Sequence, residues 1–360
     1  MAFDNIIGQT RIKKFFERAL RKGRMSHAYL FVGSHGVGKE AMALEVAKAF
    51  FCSDYLACDG TCRDCARVGR LAHPDLHFIF PAPAKMKDKE REQIVRSVIE
   101  NPYLRAELWA NPLISIERIR EIRRKAATKA FEGRGRVVII TDCERMTTEA
   151  ANSLLKLLEE PPEGMRLVMI SSRPNLLLPT ITSRCQMVKF DPLSAAEIAQ
   201  ALVRDRGVDS AQAHLAARLA SGSYRRAVEL LDEDLEEMQN LSLDFFRASV
   251  QNGYAQIHYV EQILGQVQGN LKRLKDLLAL LAFWFRDAAV VVSSEPDAEK
   301  LVIHANRMEV LHKFASSFPQ ADVHSAVQAI EESIELIDRN VQINLILIVL
   351  LNKLRTFVRR

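Results

Sequence analysis

Runs of consecutive apolar residues mark three buried strands in the first half of the chain. Residues 28–32, 137–140 and 167–170 are continuously apolar, and a helical stretch at 147–160 separates the last two. Continuous rather than alternating apolar strands that are joined by helices are typical of a parallel sheet covered on both faces. The first half is therefore predicted to have an α/β fold.

From residue 192 onward the hydrophobic pattern becomes helical. Leu- and Ala-rich segments with helical spacing continue to the end of the sequence, and the β-branched residues 290–292 fit a helix end better than a strand. We predict three domains, with boundaries taken from these changes in pattern. They are an α/β domain at 1–191, a small helical lid at 192–238 and an all-helical domain at 239–360.

The first predicted strand runs directly into a glycine-rich turn. Gly33-x-x-x-x-Gly38-Lys39 matches a P-loop up to its last position, and Gly36 lies inside it. Glycines let backbone N–H groups approach phosphate, and the lysine meets the β- and γ-phosphate oxygens. Because a strand precedes the turn and a helical pattern follows it, we predict a P-loop rather than a bare helix-entry turn.

Two positions that would handle Mg²⁺ are altered. A Ser or Thr hydroxyl should follow the P-loop lysine, but the residue is Glu40, which brings negative charge toward a triphosphate. An acidic pair should follow the strand at 137–140, but Thr141 takes the first place and only Asp142 remains. Together these changes argue against productive Mg-ATP binding and predict an ATPase fold that no longer turns over.

Four of the six cysteines lie close together in the sequence. They are Cys52, Cys58, Cys62 and Cys65. Four thiolates in so short a segment can close a tetrahedral, structural Zn²⁺ site. Two disulfides are the alternative, but no secretory signal opens the sequence, so we place the protein in the cytoplasm, where disulfides are rare. For His73 and His77 we expect packing or surface roles rather than metal ligation.

Composition and charge restrict the function only weakly. The 360 residues are 48% hydrophobic and 26% charged, as in ordinary globular proteins. The net charge of +5 permits nucleic-acid binding without requiring it. The apolar runs at 277–285 and 345–351 fall well short of the ~20 residues that span a bilayer, so no membrane segment is predicted.

Two charged segments offer less specific signals. The basic stretch at 118–125 has apolar Ile119 and Ile122 at helical spacing, so its outer face is either a solvated surface or a contact for DNA phosphates. The charged run at 85–92 fits a surface helix or loop, and we assign no function to the segment at 83–112 around it.

Several longer motifs resemble those of a known family. They lie at residues 3–9, 26–31, 73–75, 151–162, 179–185 and 222–227. The most specific is Ala-Asn-Ser-Leu-Leu-Lys-Leu-Leu-Glu-Glu-Pro-Pro at 151–162. With the P-loop and the cysteine insert, these motifs resemble bacterial DNA polymerase III clamp-loader subunits of the AAA+ class, over nearly the whole chain.

The resemblance implies roles for three further residues. Arg184, in a Ser-Arg-Cys element, would act as an arginine finger on ATP held by a neighbouring subunit; a surface ion pair is the alternative. Ser172 and Arg225 fall at the two sensor positions of the family's motor subunits, either as remnants or as active groups. The altered Mg²⁺ positions favour an ATPase-deficient stator over a gamma/tau-type motor.

The resemblance also implies partners and leaves rivals open. The partners would be gamma/tau and delta clamp-loader subunits, and, through the complex, the sliding clamp and primer-template DNA. The last helix would join a C-terminal collar or be an ordinary core helix, with apolar positions Val341, Leu345, Ile348, Val349, Leu351 and Leu354. One rival is an active gamma/tau-like ATPase in which Glu40 and Asp142 hold Mg²⁺; another is a stand-alone zinc-dependent DNA-binding protein.

Overall fold

A five-stranded parallel sheet forms the centre of the N-terminal unit. The computed structural model describes residues 3–232, 235–251, 253–267, 270–292, 302, 307–339 and 341–358. The strands, in spatial order β2-β3-β4-β1-β5, are β1 (Ala28–Val32), β2 (Leu76–Ile79), β3 (Arg136–Ile140), β4 (Met165–Ser171) and β5 (Gln186–Lys189). The pairing is parallel throughout, so the carboxyl ends of the strands meet along one edge of the sheet.

Helices lie before, between and after these strands. They are α1 (Thr10–Arg21), α2 (Lys39–Phe51), α3 (Arg63–Gly69), α4 (Asp88–Glu100), α5 (Ile116–Ala126), α6 (Thr148–Glu159), α7 (Pro179–Thr182) and α8 (Ala195–Arg206). Helix α6 begins where Thr147 accepts a hydrogen bond from the Ala150 N–H, because that side chain satisfies one of the unpaired amides of the first turn.

Alternate residues of β1 face two different layers of packing. Leu30 belongs to a buried cluster that includes residues of α5 and α6. Tyr29 and Phe31 face the opposite side, where both rings pack against Phe16 of α1 at centroid distances of 5.3 and 5.8 Å. Helices therefore cover both faces, and the predicted α/β fold with a parallel sheet is confirmed.

The strand predictions succeeded where the apolar runs are long. β1, β3, β4 and α6 lie within two residues of their predicted bounds. β2 and β5 were missed because each has only four residues; His77 interrupts the apolar run of β2, and in β5 only Val188 is buried. The basic stretch forms α5, with Ile119 and Ile122 buried, and the charged run at 85–92 leads into α4.

Helices are the only regular secondary structure in the described ranges of the rest of the chain. The helices are α9 (Ser210–Leu219), α10 (Tyr224–Asp232), α11 (Leu235–Ser249), α12 (Gly253–Val267), α13 (Leu271–Val292), α14 (Met308–Ser317), α15 (Val323–Asp338) and α16 (Ile343–Val358). Their core contains Trp284, whose ring lies 5.4 Å from that of Phe246 and 4.9 Å from that of Phe314. The predicted helical character is confirmed, and residues 290–292 are helical rather than a strand.

The last helix differs in detail from the predicted apolar repeat. Leu351 and Leu354 are fully buried, but Val341 precedes the helix, and Leu345 and Val349 are exposed. The buried stripe also includes Leu350, because the face that enters the core is offset from the predicted one.

The chain divides into two compact units. One comprises Met1–Ala201 and Ala220–Arg226, and the other Leu202–Leu219 and Ala227–Arg360. The three-domain division at residues 191 and 238 stays a prediction. None of the helices described is both long and apolar enough to cross a bilayer.

Candidate functional site

The glycine-rich turn forms a P-loop between β1 and α2. Gly36 and Gly38 have φ of 76° and 97°, in the left-handed region that favours glycine. A Cβ at Gly38 would lie 2.7 Å from the Tyr103 hydroxyl oxygen, so glycine is also required by close packing. The Gly36 carbonyl accepts a hydrogen bond from the Tyr224 N–H at 3.0 Å.

The P-loop lysine is turned back onto its own loop. Lys39 Nζ donates hydrogen bonds to the carbonyl oxygens of Gly33 at 2.7 Å and of Ser34 at 2.5 Å. Burial lowers the pKa of Lys39 to about 8, against the opposing effect of nearby carboxylates. The ammonium that would meet phosphate oxygens is thus occupied by backbone oxygens.

An arginine that the sequence analysis overlooked bridges the two altered Mg²⁺ positions. Arg105 Nε donates a hydrogen bond to Glu40 Oε1 at 2.8 Å, and its Nη2 donates to Asp142 Oδ2. All three side chains are buried: Arg105 is 6% exposed, Glu40 14% and Asp142 11%. A guanidinium therefore lies between the carboxylates where a metal ion would need to bind.

Burial and charge oppose each other within this trio. Burial raises the pKa of Glu40, and the Arg105 guanidinium acts against that rise. Burial would lower the pKa of Arg105, but the carboxylates of Glu40 and Asp142 outweigh it, so the pKa of Arg105 is raised. The arginine stays positively charged, and its charge balances carboxylates that would otherwise be buried without a partner.

Arg105 belongs to an irregular segment at residues 102–107, which we call the plug. Its Tyr103 is buried and accepts a hydrogen bond from the Ile7 N–H at 2.8 Å. The plug is fixed to α4, since Ser97 Oγ accepts a hydrogen bond from the Ala106 N–H at 2.8 Å. The space left between plug and P-loop is about 30 Å³, whereas small-molecule sites usually measure about 300–1,000 Å³.

The two predicted sensor residues have partners within the chain. Arg225 lies beside the P-loop and forms an ion pair with Glu107 of the plug at 2.8 Å. The Ser172 N–H and hydroxyl both donate to Glu144 Oε1, at 3.0 and 2.8 Å. Glu144, two residues after Asp142, was not predicted as a site residue.

Charges around the P-loop are matched by the protein itself. Lys39, Arg105 and Arg225 carry positive charge, and the acidic groups that approach them are Glu40, Asp142, Glu144 and Glu107. An arrangement that binds a triphosphate instead presents unmatched cations and backbone amides to it. This structure holds the predicted residues together, but in a closed site.

The four clustered cysteines converge on one point. Their sulfur atoms all lie within 4.8 Å of one another, with Cys52 and Cys62 Sγ at 3.7 Å and Cys58 and Cys65 Sγ at 4.0 Å. A tetrahedral Zn²⁺ with bonds of about 2.3 Å puts its sulfurs about 3.8 Å apart, whereas a disulfide needs about 2.05 Å. The cysteines are free in the structure, and their spacing suits a metal.

A backbone donor favours the thiolate at Cys58, whereas burial raises the pKa of Cys52 to about 11 and also raises that of Cys65. The Gly60 N–H donates to Cys58 Sγ at 3.3 Å, and this hydrogen bond is the main reason that the pKa of Cys58 falls to about 7. The Cys65 N–H donates to Cys62 Sγ at 3.5 Å. His73 does not join the four sulfurs: its ring stacks on Phe51 at 3.8 Å, and its Nε2 lies 3.2 Å from Glu132 Oε2 in a second group with Asp64. Its expected packing role stays a prediction.

Arg184 lies apart from the P-loop, between α7 and β5. Its side chain is 37% exposed, forms an ion pair with Glu159 at 2.9 Å and donates to the Thr180 carbonyl at 3.0 Å. Unlike the buried Arg105, Arg184 is partly exposed, so an anion from solvent can compete with Glu159 for its guanidinium.

Comparisons with known proteins give a consistent family. A family model described as "DNA polymerase III, delta subunit" matches residues 8–194. DNA polymerase III subunit delta' of Bacillus subtilis (strain 168) is 29% identical over 339 residues, which cover 93% of this chain and 92% of that protein. Subunit tau of the same organism is 23% identical, covering 94% of this chain but 58% of tau, so the chain spans less than two thirds of that relative.

Among solved structures, the RuvB Holliday junction branch migration motor of Thermotoga maritima aligns with a TM-score of 0.43 and 17% identity. The alignment covers 67% of this chain and 65% of RuvB.

We predict that Arg105→Ala destabilises the protein by about 3–5 kcal/mol, because it leaves two buried carboxylates without their counter-charge. Millimolar Mg²⁺ should restore part of the stability of this variant and none to the wild type. Urea unfolding with and without Mg²⁺ measures both effects.

Arg96→Ala, which removes an arginine that is 80% exposed in its ion pair, is the matched control and should change stability by less than about 1 kcal/mol. A fully stable Arg105→Ala variant would contradict the prediction.

A second prediction concerns the cysteine cluster. The full chain purified under reducing conditions should contain one zinc ion per molecule by elemental analysis, and Cys62→Ser should lose it because three ligands rarely hold a structural zinc. Cys185→Ser, which changes a cysteine outside the cluster, should keep the metal. Wild-type protein that contains no zinc after refolding with the ion would refute this assignment.

Proposed function

Because the chain belongs to the DNA polymerase III delta-subunit family, we propose that it is the delta-prime subunit of a clamp loader and acts as a stator without ATPase activity. The family predicted from the sequence motifs is confirmed by the family match and by the delta' relative. The finer assignment depends on two arginines with opposite surroundings, Arg105 in the closed P-loop and Arg184 at the surface.

The bridge made by Arg105 is the observation that carries the proposed lack of hydrolysis. ATP hydrolysis by P-loop proteins needs Mg²⁺ beside the β- and γ-phosphates and a lysine free to contact them. Here Glu40 and Asp142 hold a guanidinium, and Lys39 donates to loop carbonyls. Binding of Mg-ATP would require the plug to leave and the ion pairs to break, so we infer that Gly33, Gly36, Gly38 and the sensor residues Ser172 and Arg225 are remnants of a nucleotide site.

Arg184 supports the proposed action on a neighbouring subunit. Its ion pair with Glu159 joins two partly exposed side chains, and such pairs contribute only about 0–1 kcal/mol. The phosphates of ATP in an adjacent subunit can therefore compete for this guanidinium. A guanidinium placed there would stabilise the charge that develops on the transferring phosphoryl group.

The remaining parts of the proposal concern architecture and partners. Zn²⁺ on Cys52, Cys58, Cys62 and Cys65 would hold together a short segment that has little core of its own. We propose gamma/tau and delta subunits as partners in the cytoplasm, and contact with the sliding clamp and primer-template DNA through that complex. The exposed apolar residues Leu345 and Val349 on α16 suit a collar contact between subunits.

Steady-state ATP hydrolysis tests the proposal. The full chain alone should not hydrolyse ATP. In a reconstituted clamp loader in which only the adjacent motor keeps its P-loop lysine, Arg184→Ala in this chain should slow turnover by about 10³-fold, the usual contribution of an arginine finger. Arg96→Ala, another partly exposed ion-paired arginine, is the control and should leave turnover unchanged.

Two outcomes would contradict the proposal in different ways. Hydrolysis by the chain alone that Lys39→Ala abolishes would make this protein a gamma/tau-like motor. Unchanged partner turnover with Arg184→Ala would remove the arginine-finger role, while leaving the inactive P-loop intact.

A further inference from the structure

We propose that a basic stripe along α1 binds the phosphate backbone of duplex DNA. The stripe consists of Arg11, Lys14, Arg18 and Lys22, all exposed. The predicted DNA contact of the sequence analysis lies elsewhere, on α5. The charge of the stripe indicates a polyanionic partner, and the choice of DNA as that partner rests on the proposed function.

Helical geometry aligns these four side chains. At 3.6 residues per turn they fall within about 80° of the helix circumference, and the 1.5 Å rise spreads them over about 16 Å. Lys22 continues the line because the backbone of this C-cap residue is still helical. The opposite side of α1 is fixed in the core by Ile12 and Phe16, which are 3% and 0% exposed. The stripe is therefore a rigid row of cations facing solvent.

These cations are largely uncompensated. Within the described part of the chain, no acidic side chain pairs with Lys14, Arg18 or Lys22, whereas Arg11 reaches Asp191 at 3.2 Å. The acidic residue of the helix, Glu17, is half-buried on the flank of the stripe. Phe15 and Ala19 lie beside the four basic residues and supply the apolar part of this open face. A row of cations on an open surface complements a phosphate backbone.

The basic face of α5 is less available. Arg118 donates to the Phe80 carbonyl at 3.0 Å, and Arg123 donates to Ser153 Oγ. Arg136, beyond the helix, donates to backbone carbonyls including that of Lys129 at 2.9 Å. The guanidinium groups of these arginines are thus engaged in hydrogen bonds within the N-terminal unit. The exposed basic groups that remain on and just after α5 are Arg120, Arg124, Lys125 and Lys129, of which Lys125 pairs with Glu121 at 2.7 Å.

Duplex DNA fits the stripe better than other polyanionic partners. Phe15 is partly buried and its ring packs edge-on against the buried Phe16 at 5.0 Å, so the surface offers no row of exposed rings on which bases of a single strand would stack. The apolar face of α1 is occupied by the sheet, so the helix cannot bury it in a lipid surface. Contact through phosphates alone would be independent of base sequence.

The test compares two triple variants that each remove three positive charges. Lys14→Gln/Arg18→Gln/Lys22→Gln removes the stripe, and Arg120→Gln/Arg124→Gln/Lys129→Gln removes the rival face. Fluorescence anisotropy with a labelled 20-base-pair duplex, at 50 to 200 mM salt, gives the affinity of the full chain and its salt slope. The stripe variant should bind at least about tenfold more weakly and lose about 2.7 from the slope, the value for three phosphate contacts.

The control variant should retain wild-type affinity. Equal weakening by both triple variants would overturn the inference, since it would reflect net charge alone, as would tighter binding of wild type to a 20-base single strand or to phosphatidylserine vesicles. Because ATP hydrolysis is measured separately, a failure here is distinguishable from a failure of the proposed stator role.

Discussion

The closed state of the P-loop depends on one buried interaction, the Arg105 guanidinium between Glu40 and Asp142. Without the arginine, burying the carboxylates of Glu40 and Asp142 together would be unfavourable, because like charges repel strongly where water is excluded. In an active ATPase the position of Glu40 is a Ser or Thr hydroxyl, and a divalent cation balances the acidic group at the position of Asp142. In this chain an arginine balances both carboxylates instead, and the change to Glu40 becomes intelligible as one half of an internal ion pair.

The same segment ties together distant parts of the N-terminal unit. Tyr103 accepts a hydrogen bond from the Ile7 N–H, and Glu107 pairs with Arg225. Since the plug meets the chain start, the P-loop and the beginning of α10, opening the site would disrupt several contacts at once. Such a unit suits the proposed role as a rigid member of an assembly, in which Arg184 at its surface would act on a neighbouring subunit.

Sequence patterns predicted the features that depend on residues close together in the chain. The strand at 28–32, the P-loop that follows it and the convergence of the cysteines all follow from adjacent residues. Arg105 was missed because its partners lie 65 and 37 residues away in the sequence. The segment that contains Arg105 also has the charge pattern of an ordinary surface. One signal was present: a glutamate at the start of a buried helix requires a counter-charge, and Glu40 had none nearby in the sequence except Lys39.

A crystal structure of the full chain grown with millimolar Mg²⁺ and a non-hydrolysable ATP analogue tests the central claim most directly. We expect the Arg105 guanidinium to remain between Glu40 and Asp142, with Lys39 on the loop carbonyls and no nucleotide in the P-loop. Density for Mg²⁺ between the two carboxylates and for phosphates along the loop, with the plug displaced, would contradict it.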